Sequence, residues 1–552
     1  MLPPDRLVTL KGARNGNVPD LTKLRGGYYT PSAIGSFLAR WAVRDGGSRV
    51  LEPSCGDGAL VAAVAARLNA RGTVTAIELF EEEATKAGRR GKGRATIVVG
   101  DAFSWFNATQ STGQFDACVG NPPFIRYQAF PEAHRSEAFA LLETEGLRPT
   151  RLTNAWLPFV VLATRALREG GRLAFVLPAE LLQVGYAADL RAYLVRKYSQ
   201  LTVVTFRELV FPEIQQETVL LLGVRGDCDG ASISFVELDS IGDLSLERVV
   251  GTERVESDLD HGREKWTQYF LTSDELSLVR ELEAASVLTT LGALADIDVG
   301  VVTGRNEFFV LTPSQADGLG LRDSCLRLVG RSAQTPGLIL REEDWNELAS
   351  NDGRCLLLQL DDTPRDRLSA AARAYVEWGE KHSVDDGYKC RIRKPRWWRV
   401  PATWAPDAFL LRQIHDGPRI IDNRAAATST DTIHRVRVRA PSVDPSALAA
   451  ASMNSVTFAF AEIRGRSYGG GVLELEPTEA ESLPFPHPAH ELPIDELDAL
   501  TRARRIEDVL DRVDSVVLRA AGLSASDITR MRAIWRKLST RRATRKRRLV
   551  RG

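Results

Sequence analysis

From residue 49 to residue 120, short apolar runs alternate with abrupt polar stops. Residues 49–52, Thr73–Glu78, Ala95–Val99 and Phe115–Gly120 have the length and apolar content of buried strands, so four strands are predicted in succession. After the first run, Ser54-Cys55-Gly56-Asp57-Gly58 reads as a tight turn and Ala59-Leu60-Val61 as an apolar helix start. This is the first β-α turn of a doubly wound α/β sheet, in which ligands sit beyond the carboxyl ends of the strands. The four strand ends carry Glu52 with Gly56, Glu78, Asp101 and Asn121. A Rossmann-like domain without further chemistry needs small residues at one of these ends, not polar groups at all four. A later strand, 173–178, is entered through Gly170-Gly171, and another apolar strand covers 219–224.

The chain is 552 residues long, too long for one core of ordinary size, so two or three domains are expected. A polar break at 225–230 closes the first, giving expected domains at 1–240, 241–490 and 491–552. Net charge is zero, so a nucleic-acid partner requires locally concentrated cations. The six cysteines form no C-x-x-C pair and have no metal-ligand spacing with histidine, and reduced thiols are expected. No signal segment or membrane-length apolar run occurs, which leads us to expect a cytoplasmic protein.

The chemistry concentrates at Asn121-Pro122-Pro123-Phe124. An exocyclic amine is a poor nucleophile because its lone pair is delocalised into the ring. An Asn side-chain oxygen and a backbone carbonyl can each accept one amine hydrogen and localise that lone pair. Pro123 has no N–H and holds Pro122 extended, which exposes the Pro122 carbonyl. Phe124 offers a face to a base taken out of its stack. A plain proline-rich turn with a buried Phe is the alternative. Upstream, Gly56 and Gly58 allow close backbone approach to a ligand, and Glu78 lies at the spacing from which a carboxylate reaches a ribose. Val61 stands where a dinucleotide fingerprint has its third glycine, and no Gly-Lys-Ser/Thr follows, which argues against a P-loop.

In this order the motifs resemble those of the gamma-class, TaqI-type DNA adenine-N6 methyltransferases, over about residues 25 to 225. The resemblance implies S-adenosylmethionine as cofactor, bound by Tyr29, Thr30, Glu52, Pro53, Cys55, Gly56, Asp57, Gly58, Glu78, Asp101, Ala102 and Asn121. It implies catalysis by Asn121, Pro122, Pro123 and Phe124. Phe124 and Phe211 would stack on a flipped-out adenine, and no metal is needed. It further implies double-stranded DNA as partner and a cognate restriction endonuclease as functional partner, in a prokaryotic, nucleoid-associated enzyme acting as a monomer. Related fused enzymes carry a nuclease ahead of the methylase; about two dozen residues precede Tyr28 here, so no cleavage activity is expected. An RNA or protein-glutamine methyltransferase, or a DNA-binding protein with an inactive methylase fold, remains an alternative.

The second half reads as a mixed α/β target-recognition domain. Alternating apolar residues flank Thr303-Gly304-Arg305-Asn306, which predicts a hairpin or looped β structure. Arg305 there is a candidate DNA contact, with a surface turn as the alternative. Residues 388–399 interleave cations and aromatics without an acid, nominating Arg391, Arg393, Lys394, Arg396 and Trp397; a basic loop with its Trp pair buried is the alternative. Arg464 and Arg466 precede a glycine run and are further candidates. Apolar spacing predicts a helix at 506–521 stopped by Gly522, then a basic last helix capped by Ser524 or Ser526.

Overall fold

The computed structural model describes residues 30–125, 132–150, 153–211, 217–226, 232–250, 259–360, 362–401, 403–468, 471–488 and 492–547. The chain forms two compact units, one built on Asn17–Ser273 and the other on Asp274–Ser467 with Val472–Thr540.

The first unit is a mixed α/β layer structure. In chain order it contains α1 (Ser32–Ala42), β1 (Arg49–Glu52), α2 (Ala59–Ala65), β2 (Thr73–Glu78), α3 (Glu81–Arg90), β3 (Ala95–Val99), α4 (Ala102–Thr109) and β4 (Phe115–Gly120). There follow α5 (Glu132–Thr144), α6 (Trp156–Ala166), β5 (Leu167–Pro178), α7 (Glu180–Gln183), α8 (Ala188–Lys197), β6 (Tyr198–Phe206), β7 (Thr218–Arg225) and β8 (Ser232–Leu238). The eight strands lie in the order β3-β2-β1-β4-β5-β7-β6-β8. All neighbours are parallel except β7, which runs antiparallel to β5 and to β6.

Period-two alternation sends successive strand residues to opposite faces. Leu51, Ile77, Cys118 and Phe175 join one apolar cluster with Phe103 of α4 and Trp156 of α6. Val50, Ala76, Val119 and Val176 join the other with Phe37 of α1 and Leu60 of α2. The chain leaves the neighbouring strands β1 and β4 on opposite faces. That switch point opens a crevice at their carboxyl ends. The glycine pair lies inside β5 rather than before it. Phe115 pairs with Leu167 but Ala117 with Arg172, so residues 168–171 bulge out, with Gly170 at φ +72°.

The first unit runs on to Ser273, past the boundary expected at 240. Aromatic packing explains the extension. Phe235 of β8 stacks on Tyr269 at 4.5 Å and meets the edges of Trp266 and Phe270.

The second unit contains a five-stranded sheet ordered Ala295–Asp298, Ile433–Val438, Ala408–Leu411, Ile420–Asn423, Ile339–Leu340. A four-stranded sheet is ordered Val310–Leu311, Leu356–Leu358, Cys325–Val329, Thr428–Ser429. The hairpin expected across Arg305 does not form. Its two arms pair in different sheets, with the short helix Asn306–Phe309 between them. Phe308 and Phe309 are fully buried, and Phe308 stacks on Tyr375 at 4.4 Å, which draws the segment into an aromatic core instead of a β-turn.

The C-terminal helices pack within this unit rather than forming a separate segment. Asp498 is 1% exposed and accepts from the backbone N–H of Leu338 and Ile339 at 2.7 and 3.1 Å. The predicted 506–521 helix is α-helical over Ile506–Val513 and widens into a π turn, Asp514–Leu518. There buried Asp514 accepts from the Ser455 N–H at 2.9 Å and pairs with Arg532 at 2.7 Å. Ser524 caps the last helix, Ala525–Arg547, by accepting from the Asp527 N–H at 3.1 Å.

Candidate active site

The turn after β1 is tied to β2 by the Cys55 N–H donating to the Ile77 carbonyl at 2.9 Å. Its conformation requires two glycines. Gly58, at φ +83°, lies so close to α3 that a Cβ would fall 2.5 Å from Ala87 Cα. Gly56, at φ +51°, faces open space, and a Cβ there would meet nothing within 4 Å. Asp57 is held by the scaffold. It accepts from the Ala59 N–H at 3.1 Å and pairs with Arg90 at 2.6 Å.

Two carboxylates line this turn. Glu78 accepts from the Gly56 N–H at 2.8 Å and from the Phe80 N–H at 3.0 Å. Burial raises its pKa and these two hydrogen bonds work against the rise. Glu52 is 1% exposed, and its Oε2 is buried without a hydrogen-bond partner. Burial pushes its pKa well up, and the nearby Glu78 and Asp57 push it further. The Cys55 thiol is raised by burial and by Glu52, which leaves it a neutral packing group. Pro53 is buried beside it.

Asp101 sits between β3 and α4. Its Oδ1 caps α4, accepting from the N–H groups of Phe103 and Ser104 at 3.0 and 2.9 Å. Its Oδ2 lies 3.2 Å from Nδ1 of His134 at the start of α5. Sequence reasoning missed His134, which has no motif around it. Ala102 is buried in the cluster under α4. At the end of β4 the Asn121 Nδ2 donates to Thr30 Oγ1 at 3.3 Å. This brings together two residues 91 positions apart and fixes the carboxamide by its nitrogen end. Pro122 is buried and Pro123 half-buried. Phe124 is half-buried and packs against both apolar clusters. The Ala155 N–H donates to the Ile125 carbonyl at 2.8 Å, anchoring the loop to the approach to α6. Tyr29 lies outside the described residues.

Several expected contacts are corrected. Phe211 is 7% exposed and belongs to the cluster of Val210, Leu220 and Leu238, so it is a core side chain and not an open stacking face. Trp397 is 2% exposed, 5.1 Å from the Phe308 ring, and is packing rather than a DNA contact. Arg393 donates to the carbonyls of Val302, Thr303 and Arg399 at 3.2, 2.6 and 2.9 Å. Lys394 pairs with Asp385 at 2.9 Å and Arg396 with Asp362 at 2.6 Å. Arg464 pairs with Glu283, and Arg466 with Glu479 at 2.9 Å. These five cations are occupied by the protein's own acceptors. Arg305 and Arg391 are not: among the described residues neither has a carboxylate partner.

The strand order with β7 reversed, the glycine turn and the Asn-Pro-Pro-Phe strand end stand together in one unit. Residues 76–211 match the Eco57I restriction-modification methylase, and residues 263–518 match the C-terminal domain of the Type II methyltransferase M.Eco57I. The chain belongs to the restriction-modification methylases. The Type II methyltransferase M.AccI of Acinetobacter calcoaceticus is 21% identical over 82% of this chain and 83% of its own length. M.XamI of Xanthomonas campestris pv. amaranthicola is 23% identical over 84% and 85%. A tRNA1(Val) (adenine(37)-N6)-methyltransferase of Citrobacter koseri is 27% identical over 26% of this chain and 57% of its own. As a restriction-modification methylase, the chain pairs its α/β first unit with a second unit that the M.Eco57I C-terminal match covers almost throughout.

Proposed function

We propose that this methylase transfers a methyl group from S-adenosylmethionine to N6 of an adenine flipped out of double-stranded DNA. On this reading it protects host DNA from a cognate restriction endonuclease. The observation that carries the reading is the Asn121 carboxamide, held by its nitrogen end at the switch-point crevice and followed by two prolines. A carboxamide oxygen is a hydrogen-bond acceptor, which suits an amine and not a carbon nucleophile.

The residues fit the cofactor. Gly56 faces open space, Glu78 lies beside it, and the orphaned Glu52 Oε2 is an acceptor awaiting a donor. When bound, S-adenosylmethionine supplies an electrophilic methyl group. Glu78 would accept from the ribose hydroxyls and Asp101 from the adenine-side amine. Glu52, Cys55 and Thr30 would line the methionine side. Asn121 and the Pro122 carbonyl would each accept one hydrogen of the target N6. Phe124 would lie against the base. Positioning, more than acid-base chemistry, supplies the rate, because a near-attack geometry removes most of the entropic barrier.

The similarity to a tRNA adenine-N6 methyltransferase over 26% of this chain gives RNA as the second reading. The test is to incubate the purified chain with methyl-labelled S-adenosylmethionine and duplex DNA of mixed sequence, tRNA or protein. Label recovered as N6-methyladenine in duplex DNA is expected. Label confined to tRNA, to protein glutamine or to cytosine would overturn the proposal.

A further inference from the structure

Of residues 388–399, four side chains that face outward form a patch of their own. Tyr388 is 67% exposed and Ile392 is 62% exposed, the two most exposed large apolar side chains among the described residues of the second unit. The helix Tyr388–Arg391 continues with helical geometry into Ile392, at φ −69° and ψ −13°. Residues four apart therefore share a face, and the two apolar groups stand side by side. Three cations surround them. The Lys389 ammonium lies 5.8 Å from the Tyr388 ring centroid. Arg391 is exposed at the end of the turn. Arg305 approaches through Gly387, where a Cβ would fall 2.9 Å from its Nε.

Among the described residues, none of these three cations has a carboxylate partner. The local acids are taken elsewhere. Asp385 and Asp386 lie 2.9 and 4.0 Å from Lys394, and Asp362 pairs with Arg396 and Arg399 at 2.6 and 3.7 Å. The platform beneath is fixed by Arg393, through the carbonyls of Val302 and Thr303, and by buried Trp397 and Trp398. The exposed apolar pair is unfavourable in water, and cations without carboxylate partners stand beside it. It suits a partner with a continuous array of anions beside flat apolar surface.

We infer that Tyr388 and Ile392 form an apolar wedge that enters a groove of duplex DNA, with Arg305, Lys389 and Arg391 on the flanking phosphates. The inference rests on the proposed function, since the same DNA carries the target adenine. Apolar side chains entering a base step and cations on neighbouring phosphates are a combination that protein–DNA interfaces use.

The experiment uses the full chain and a labelled duplex carrying its methylation site. Tyr388→Ala with Ile392→Ser should weaken duplex binding at least tenfold, with melting temperature and S-adenosylmethionine affinity unchanged. Neutralising all three cations (Arg305→Gln, Lys389→Gln, Arg391→Gln) should reduce the slope of log affinity against log salt by about 2.7, at roughly 0.9 per phosphate contact. Wild-type affinity and slope in both variants would overturn the wedge. So would a change of sedimentation from oligomer to monomer with DNA binding intact, which would assign the patch to a second copy of the chain. If the wild-type protein neither binds nor methylates the duplex, the proposed function itself fails. Wild-type methylation with unaffected variants removes only this inference.

Discussion

Glu52 carries the sharpest conflict in the molecule, a carboxyl group buried with one oxygen unpartnered. Its folded pKa stands well above 4.5, so the folded state holds the proton more tightly than the unfolded state. Stability from this group is present at low pH and is lost as pH rises toward the folded pKa. Without cofactor, Glu52→Gln should therefore melt higher than wild type, with the gap widening as pH rises above about 4.5. The same variant should bind S-adenosylmethionine more weakly in calorimetry. A gap that narrows with rising pH would contradict the buried-acid account. Asn121→Ala should abolish transfer while cofactor affinity stays largely intact, because the amide serves the acceptor amine; near-wild-type turnover would remove it from the mechanism. Glu78→Ala should weaken cofactor binding roughly tenfold or more, since hydrogen bonds to a charged acceptor contribute about 1.5–3 kcal/mol. Unchanged affinity would take Glu78 out of the site. The residues of this crevice were legible in the sequence because each interrupts an apolar strand at its carboxyl end. His134 was not, since its partner Asp101 is 33 positions away and only the fold brings them together.

At the scale of elements, β1 to β4 were read almost to the residue, because buried parallel strands are short apolar runs with few alternatives. The errors fell where tertiary packing outvotes local pattern. Phe211 follows β6, and only the family resemblance placed it at the target base, yet the cluster of Val210, Leu220 and Leu238 encloses it. Phe211→Ala should accordingly cost about 3–5 kcal/mol, read as a large fall in melting temperature. A mismatch opposite the target adenine should not rescue its activity, because cheaper flipping does not repair a core. A preserved melting temperature with mismatch rescue would return Phe211 to the base. The same logic explains residues 388–399. Composition announced a basic aromatic segment correctly, but it could not say that Trp397 turns inward while Tyr388 turns outward.

At the scale of the whole molecule, the sequence led to three expected domains, whereas the chain forms two compact units. Phe235 recruits Trp266 and Tyr269 to the first unit, and Asp498 and Asp514 bind the C-terminal helices into the second, through contacts no local window contains. Asp498 holds two backbone N–H groups and pairs with Arg341 and with Arg502, the latter at 2.8 Å. Burial alone would raise its pKa, but the hydrogen bonds from Arg341 and Arg502 outweigh it and hold the carboxylate low. Its contribution is present at neutral pH and is lost only in acid, as pH falls below about 3.8 through the folded value. Asp498→Ala should destabilise the second unit by about 3–5 kcal/mol, the usual cost of stranding a buried partner. Calorimetric melting should show the loss while S-adenosylmethionine still binds. A variant that melts like wild type would show that Asp498 holds nothing together.

The charge balance also governs how such a protein would find its target. It carries 72 basic and 72 acidic side chains, and many of its arginines are spent on internal partners. Counterion release then offers little grip on arbitrary sequence. On DNA, such a protein would make brief encounters and leave quickly, sampling sites by repeated collision rather than by long one-dimensional sliding. Its dwell time would lengthen only where uncompensated cations and the base-reading groups engage together.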